Sequence, residues 1–277
     1  PSNYVVCGAA IKTSGFTMTF TIAGNVQIQL RMVGTQLRVY RGNYVNLLAS
    51  AELAGILIPG EWYYYEMGVL ISDTVGTVSV RLNGIVLPAL TLTGVDTKDY
   101  GTAGADQVQL GGSGSRFTDV YVDTENFHGD CIVETIYPTG AGNHSDWSPS
   151  GGLPFGSNYL NVDDPGDIDG DATYNMTSSQ GDKDSFVAGN IVARPTSVIK
   201  GVALHVTARK DEAGSRELKP ILRIGGADYV HEGAGFVLSD VYHGAQRIWE
   251  ENPATEAAWT ESGVNGAEIG YDRVTGM

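Results

Sequence analysis

The sequence is poor in cysteine, in positive charge and in long apolar runs, and each shortage excludes a class of protein. Only two cysteines occur among 277 residues, Cys7 and Cys131, and without a C-x-x-C spacing they exclude a cysteine-based zinc site. We expect two free thiols in a β core, with one long-range disulfide as the alternative. The formal charge of −15 opposes non-specific nucleic-acid binding and would repel an anionic membrane. No apolar run approaches the ~18 residues of a membrane-spanning helix.

The motifs of common catalytic sites are missing as well. The sequence contains no G-x-S-x-G, no H-E-x-x-H and no P-loop, and its five histidines share no metal-ligand spacing. A glycoside hydrolase needs two carboxylates placed together by the fold, and a pool of 32 acidic residues does not define such a pair. We therefore expect no catalytic residues, no enzymatic activity and no bound cofactor.

Glycine is abundant, with 37 residues, and turn signals separate many short segments in which apolar and polar residues alternate. The clearest segments are Phe16–Ile22, Val26–Met32, Gln36–Tyr40, Thr77–Leu82 and Phe117–Asp123. Alternation indicates strands with one buried face, and strand spacings of about 8–12 residues predict an all-β sandwich or barrel.

The segment GEWYYYEMGVLISDTVGTVSVRLNG, residues 60–84, combines an aromatic cluster with a turn signal. Alternation divides the cluster into two faces, Tyr63, Tyr65 and Met67 against Trp62, Tyr64 and Glu66. We expect the first set to be buried, because the second carries a carboxylate and would form a wet face. Asn83-Gly84 predicts a two-residue hairpin, since both turn positions require positive φ.

This segment, together with VQLGG and FTDVYVD further on, resembles the laminin G-like, concanavalin A-like jelly roll. The resemblance spans about residues 1 to 125 and implies a two-sheet β-sandwich, here residues 1–127. Domains of this kind bind sugars or proteins at their rim, and some hold calcium there. Because Tyr4–Ala10 reads as a strand already under way, the sandwich is expected to lack its first strands.

The second half, residues 128–277, is predicted to be a loop-rich β-sandwich module. Asp130–Pro138 alternates and predicts its first strand, and Val198–Arg209 is predicted to pair with Leu218–Ile224 across a short turn. Between these strands, residues 139–184 are dense in Gly, Ser, Asn and Asp. Such a long irregular segment is unusual unless it is functional or packed on the surface.

This half resembles a module of tailed-bacteriophage virion proteins over about residues 118 to 272. The matching residues are Trp147-Ser148-Pro149, Asn158-Tyr159, Asp169 through Tyr174, Asp184-Ser185-Phe186, Asn252 through Thr255 and Trp259-Thr260. The resemblance implies a non-enzymatic structural protein of the particle, in the neck, tail or capsid decoration. Its expected partners are copies of itself and other virion proteins, with residues 139–184 as the contact surface.

Two alternatives to that function remain open from the sequence. The first is an adhesin that binds a glycan on the host surface, and the second is an extracellular bacterial lectin-like domain. A rim cleft lined by aromatic residues would favour the adhesin, whereas a rim buried against other subunits would favour the structural role.

One local cluster of acids is a candidate metal site. Asp167, Asp169 and Asp171 stand in a Gly-containing loop, and converging carboxylates are the ligands that calcium prefers. The spacing departs from the EF-hand, because Ala172 occupies the position that requires glycine. Solvated acids in Asx-turns are the alternative interpretation.

Overall fold

The computed structural model describes residues 2–166, 168–194, 196–230 and 233–274. It divides the chain into two compact units, Pro1–Val133 and Glu134–Met277, and the division predicted from the sequence lies a few residues earlier. Both units are built from antiparallel strands, which confirms the all-β class. Among the described residues, no helix is long and apolar enough to cross a bilayer. The predicted loss of the first strands stays a prediction.

The first unit is a sandwich of two antiparallel sheets. Its strands are β1 (Tyr4–Lys12), β2 (Thr17–Ile22), β3 (Asn25–Val33), β4 (Gln36–Arg41), β5 (Asn46–Glu52), β6 (Trp62–Leu70), β7 (Gly76–Leu82), β8 (Ile85–Val86), β9 (Leu92–Val95), β10 (Gln107–Gly111) and β11 (Arg116–Asp123). One sheet has the order β11-β1-β6-β7-β8, with β9 also paired to β7. The other has the order β10-β2-β3-β4-β5. A short 3₁₀ segment covers Pro88–Leu90.

One hydrophobic core fills the space between these two sheets. The alternating strands supply it as predicted, with Phe20, Leu30 and Val80 among the side chains that have no solvent exposure. Tyr65 and Met67 are buried in this core and Tyr63 packs against it, so the predicted inner set is confirmed. Cys7 belongs to the same core, and no disulfide joins it to Cys131.

The turn at Asn83-Gly84 also follows the sequence prediction. Asn83 and Gly84 have φ values of 49° and 76°, and they connect β7 to β8 in a two-residue hairpin. Positive φ at both positions is the geometry that matches the twist of paired strands. The pattern of the turn residues therefore predicts the backbone correctly here.

The outer face of the six-stranded sheet is not wet, contrary to the prediction. Tyr64 is 2% exposed and Glu66 is fully buried, because the segment 124–133 lies over them. Glu66 Oε1 accepts hydrogen bonds from Tyr121 Oη at 2.5 Å and from the backbone N–H of Gly129 at 2.8 Å. Distant residues thus bury a face that local alternation marks as polar.

The same contacts explain why Asp130–Pro138 does not form the predicted strand. The N–H of His128 donates to Tyr121 Oη, and the N–H of Val133 donates to Asp119 Oδ1. A side chain of the sheet therefore satisfies the N–H of Val133, which a strand would pair in a ladder. The first strand of the second unit begins later, at Pro138.

The second unit contains one large sheet and several short ribbons. Its strands are β12 (Pro138–Ser145), β13 (Ser148–Pro149), β14 (Asn175–Met176), β15 (Lys183–Ala188), β16 (Val202–Ala208), β17 (Glu217–Ile224), β18 (Ala227–Val230), β19 (Phe236–Val237), β20 (His243–Trp249), β21 (Glu251–Asn252), β22 (Ala257–Ala258) and β23 (Glu268–Val274). The large sheet has the order β12-β15-β23-β17-β18, with β19 also on β17. A 3₁₀ segment covers Asn158–Asn161, and the short helix α1 covers Glu261–Asn265.

The pairing predicted between Val198–Arg209 and Leu218–Ile224 is wrong. β16 pairs with β20 in the register Val202↔Trp249, whereas β17 pairs with β23 on one side and with β18 and β19 on the other. Leu204 of β16 and Trp249 of β20 form a hydrophobic cluster with Leu222 of the large sheet, which makes the unit a loop-rich sandwich. The two-stranded ribbon of β16 and β20 is buried against the large sheet, and this burial favours the observed pairing. A local turn signal does not predict it.

We predict that Tyr65→Ala destabilises the first unit by about 3 kcal/mol or more, as large-to-small core substitutions do. Tyr65 is 1% exposed and its ring lies 4.7 Å from that of Phe16, centroid to centroid. Urea unfolding measures the change. The matched control is Trp62→Ala in the same strand, because Trp62 is exposed and we expect a change within about 0.5 kcal/mol. Equal effects of the two substitutions would contradict the assignment of the faces.

Candidate functional site

The acidic residues proposed as a calcium site are engaged with protein groups. Asp169 accepts hydrogen bonds from the N–H and the hydroxyl of Thr173, and Asp171 forms an ion pair with Arg209 at 2.9 Å. Asp167 lies outside the described residues. Within the described part of the chain, no group of three His, Cys, Asp or Glu side chains is placed to hold a metal ion. The calcium site stays a prediction.

A charged cluster covers one face of the large sheet in the second unit. Asp228 accepts hydrogen bonds from His144, Lys183 and Arg223, at 2.9, 2.9 and 2.6 Å for the nearest oxygen–nitrogen pairs. Burial alone would raise the pKa of Asp228, but these three donors together hold it well below its ordinary value. Nearby, Ser185 Oγ donates to Glu268 Oε2 and accepts the backbone N–H of His144.

This cluster does not have the geometry of a nucleophile activated by a histidine. His144 offers Ser185 its backbone N–H, and its ring Nε2 is bonded to Asp228. The hydroxyl of Ser185 is directed to a carboxylate, Glu268. To act as a general base, a histidine must have a ring nitrogen within hydrogen-bond reach of the hydroxyl that it deprotonates. The cluster therefore acts as a compensated set of charges that holds β12, β15, β17 and β18 together.

The outer face of the five-stranded sheet in the first unit presents a different set of groups. We call it the Arg–Tyr face, and it consists of Gln29, Arg31, Arg38, Tyr40 and Tyr44. The register places Arg31 directly opposite Arg38 and Gln29 directly opposite Tyr40, so all four side chains of the strands share one face. Tyr44 follows β4 and its ring lies under the guanidinium of Arg31, with Cζ 4.5 Å from the centroid.

Hydrogen bonds and ring contacts hold these side chains in place. Arg38 Nε donates to Gln36 Oε1 at 2.6 Å, and Arg38 Nη1 donates to Tyr40 Oη at 3.3 Å. The rings of Tyr40 and Tyr44 meet edge to face, with centroids 5.9 Å apart. Side chains fixed in this way lose little further freedom when they bind a ligand.

The electrostatics of the face are unusual for so acidic a chain. Arg31 and Arg38 form no ion pair with any described residue, and like charges directly opposite each other in a sheet are destabilising. Gln29 is 4% exposed, and its Nε2 donates to Thr19 Oγ1 at 2.9 Å. Its Oε1 is buried and has no partner among the described residues. The buried acceptor is not accessible from solvent, so the face offers a polar ligand two cations and the exposed ring of Tyr44.

The irregular segment of the second unit is organised by a network of buried polar groups around Asp184. Asp184 Oδ1 accepts the N–H of Trp147 at 3.1 Å, and Oδ2 accepts Asn158 Nδ2 at 2.7 Å. Asn175 Nδ2 donates to the carbonyl of Asn158 and to Tyr271 Oη. Asn161 Nδ2 donates to the carbonyl of Tyr174 at 2.9 Å. These bonds hold Trp147, Asn158, Asn161 and Asn175 against the core.

Comparison with known proteins adds little to this description. No family model matches the chain, and no curated protein matches it. Among solved structures it is similar to congerin II with lactose and MES bound, at 13% identity and a TM-score of 0.29. Two single mutants of congerin II match at 12% and 14% identity, each with a TM-score of 0.30. Each match covers 43% of this chain and 90% of the congerin chain. At such scores the likeness says nothing about ligands or assembly.

The Arg–Tyr face was not singled out from the sequence, although a signal for it exists. Residues 33–36 form a tight turn, which fixes Arg31 opposite Arg38 and Gln29 opposite Tyr40 once the hairpin is recognised. Alternation then places all four side chains on the polar side. The lack of acidic partners could not be read from the sequence, because it depends on strands far apart in the chain.

We predict that ionisation of Asp184 destabilises the second unit. Burial raises the pKa of Asp184 to about 6, above its ordinary value of 3.8, and the hydrogen bonds from Asn158 and Trp147 offset only part of that rise. The folded state therefore binds the proton more tightly than the unfolded state. Stability from this group is present below pH 4 and is lost as the pH rises through 6, by about 1 kcal/mol between pH 5 and pH 7.5.

The measurement is urea unfolding followed by tryptophan fluorescence, since three of the four tryptophans lie in the second unit. Asp184→Asn is the control, because other titrating groups contribute equally to both proteins. The stability difference between the two proteins should shift in favour of wild type as the pH falls from 7.5 to 5. A difference that does not change with pH would show that Asp184 is ionised throughout this range.

Proposed function

We propose that this protein is a non-enzymatic structural component of a tailed-bacteriophage particle, located in the neck, the tail or the capsid decoration. The observation that carries the proposal is the construction of the segment 146–176. Its inner side is fixed by the buried network around Asp184, whereas its outer side exposes large apolar side chains. These are Phe155, which is 70% exposed, Leu160, Ile168 and Met176.

A fixed segment with an apolar outer side is suited to contact with another chain. Exposed groups of large apolar side chains mark surfaces that contact other proteins. Repeated contacts of one chain type usually follow closed rotational symmetry, and a phage particle supplies such symmetry. We propose copies of the same chain and other virion proteins as the partners.

The resemblance to virion modules supports the same proposal in a specific way. Asn158, Asp184 and Trp259, which are among its matching residues, are all buried in the second unit. Trp259 Nε1 donates to the carbonyl of Trp249 at 2.8 Å, and Thr260 caps the N-terminus of α1. The resemblance therefore concerns residues that build the framework of the unit.

The test is to determine the structure of the protein in place on its particle. We expect neighbouring chains to bury more than about 800 Å² in total, above the range of crystal-packing contacts, with Phe155 and Leu160 inside the contact. Phe155→Asp should prevent incorporation into particles, and the control Val192→Asp, also at an exposed position of the second unit, should not. A segment that faces only solvent would contradict the structural role.

The Arg–Tyr face favours a second candidate function, that of an adhesin that binds a host-surface glycan. Planar guanidinium groups form paired hydrogen bonds to neighbouring oxygens, and tyrosine rings provide an apolar surface beside polar groups. Both occur here side by side, and neither guanidinium forms an ion pair with an acidic side chain among the described residues, although Glu52 stands opposite Gln36 at the edge of the face. This function is compatible with a place on the particle, because an exposed appendage can do both.

For the adhesin we predict that Arg31→Gln weakens binding to the host polysaccharide at least tenfold, since a hydrogen bond to a charged group contributes about 1.5–3 kcal/mol. The unfolding free energy should change by less than about 0.5 kcal/mol, because the substitution also removes the repulsion from Arg38. Binding is measured by surface plasmon resonance on purified host polysaccharide. The control Lys98→Gln removes a cation that is paired with Asp73 elsewhere in the unit and should leave binding unchanged. If the wild-type protein does not bind the host polysaccharide, the adhesin function is excluded.

A further inference from the structure

A cleft lies at one end of the sandwich in the first unit, apart from the Arg–Tyr face. We call it the end cleft. Its lining residues are Lys12, Thr13, Ser14, Pro59, Gly60, Gly114 and Arg116. Its volume is about 500 Å³, which lies within the range of small-molecule sites. The cleft is far larger than a simple inorganic anion requires.

Hydrogen bonds between three loops form the walls of the end cleft in advance. Gly60 donates its N–H to the carbonyl of Thr13 at 3.0 Å, and the hydroxyls of Thr13 and Ser115 are 2.6 Å apart. Ser115 Oγ also donates to the carbonyl of Gly15 at 3.0 Å. At Gly112 a Cβ would lie 2.6 Å from that carbonyl, so only glycine permits this approach of the loops. These bonds connect the loops that line the cleft in the absence of a ligand.

Two cations stand at the cleft without acidic partners. The register of β1 and β11 places Lys12 directly opposite Arg116, and neither side chain forms an ion pair or a hydrogen bond with any described residue. By contrast, Arg41 and Lys98 of the same unit are paired with Asp96 and Asp73. Like charges directly opposite each other repel, so an anion bound between Lys12 and Arg116 would stabilise the pair.

The surroundings of the pair decide what kind of anion fits. Trp62 lies beside the cleft and is not part of its lining; it stands opposite Lys12 on the other side of β1 and is 44% exposed. The row Arg116, Lys12 and Trp62 thus combines two cations with an aromatic surface on which an apolar face of a ring can pack. Ser14 is exposed at the rim and adds a hydroxyl. Glu61 is the acidic residue nearest to the lining in sequence, and it forms no ion pair with either cation in the described structure.

We propose that the end cleft binds a saccharide that carries a carboxylate or phosphate group, with that group between Lys12 and Arg116 and the sugar ring toward Trp62. The volume accommodates a ring in addition to the anion. A nucleic-acid strand is a poor fit, because two cations in a chain of charge −15 cannot neutralise a run of phosphates. The site is separate from the Arg–Tyr face and does not depend on either function proposed above.

The experiment uses the full chain with ¹⁵N-labelled tryptophan and follows the Trp62 indole by NMR during titration. The probes are glucuronate and glucose 6-phosphate, with glucose as the neutral control and acetate and inorganic phosphate as the anions without a ring. We expect saturable shifts with both anionic sugars and no shift with glucose. Acetate should bind at least tenfold more weakly than glucuronate, and inorganic phosphate at least tenfold more weakly than glucose 6-phosphate.

Variants separate this site from other causes of a shift. The double substitution Lys12→Gln and Arg116→Gln should lower the affinity for both anionic sugars at least tenfold, and Lys98→Gln should leave it unchanged. Arg116→Gln alone, at an exposed position, gives the same test if the double variant does not fold. Shifts that do not saturate, or that persist in the variants, would overturn the proposal. Equal binding of acetate and glucuronate would also overturn it, because the cleft would then hold small anions without recognising a sugar.

Discussion

A carboxylate buried in a strand must receive hydrogen bonds, and in both units this requirement holds irregular chain against a sheet. Glu66 of β6 draws the segment 124–133 onto the outer face of its sheet through Tyr121 and Gly129. Asp184 of β15 fixes the segment 146–176 through Trp147 and Asn158. A buried polar group without hydrogen-bond partners is unfavourable, so these donors stabilise both units. In both units, hydrogen bonds to a buried carboxylate thus order chain that has no regular secondary structure.

The sequence predicts those parts of the fold that depend on neighbouring residues. Alternation identifies the inner positions of β6, and Asn83-Gly84 identifies the hairpin turn between β7 and β8, because both are local effects. The burial of Glu66 and the pairing of β16 with β20 are not predicted, because each depends on chain that is distant in sequence. The candidate sites follow the same division. The position of Arg31 opposite Arg38 follows from a short hairpin, whereas the end cleft joins residues 12, 60 and 116 and requires the folded unit.

The two units differ in how their charged side chains are arranged, and the total charge of −15 does not show this difference. Residues 1–133 contain seven Lys and Arg against eleven Asp and Glu, and the first fifty residues contain four cations and no acid. Four of the seven cations form two directly opposed pairs, Arg31 with Arg38 and Lys12 with Arg116. Arrangements that lower stability without a structural gain are most often found where a protein binds a ligand. The second unit contains instead a charge cluster in which Asp228 has three cationic or histidine partners.

The position of β23 has a consequence for synthesis of the chain on the ribosome. This strand, Glu268–Val274, lies in the middle of its sheet between β15 and β17. Until it emerges, β15 and β17 lack their common partner, and Asp184 and Asn175 lack the hydroxyl of Tyr271. The first unit has all of its paired strands within residues 1–133, so it can fold while the second is still being made. The second unit can complete its large sheet only after β23 has emerged, and until then the edges of β15 and β17 are open to pairing with other chains.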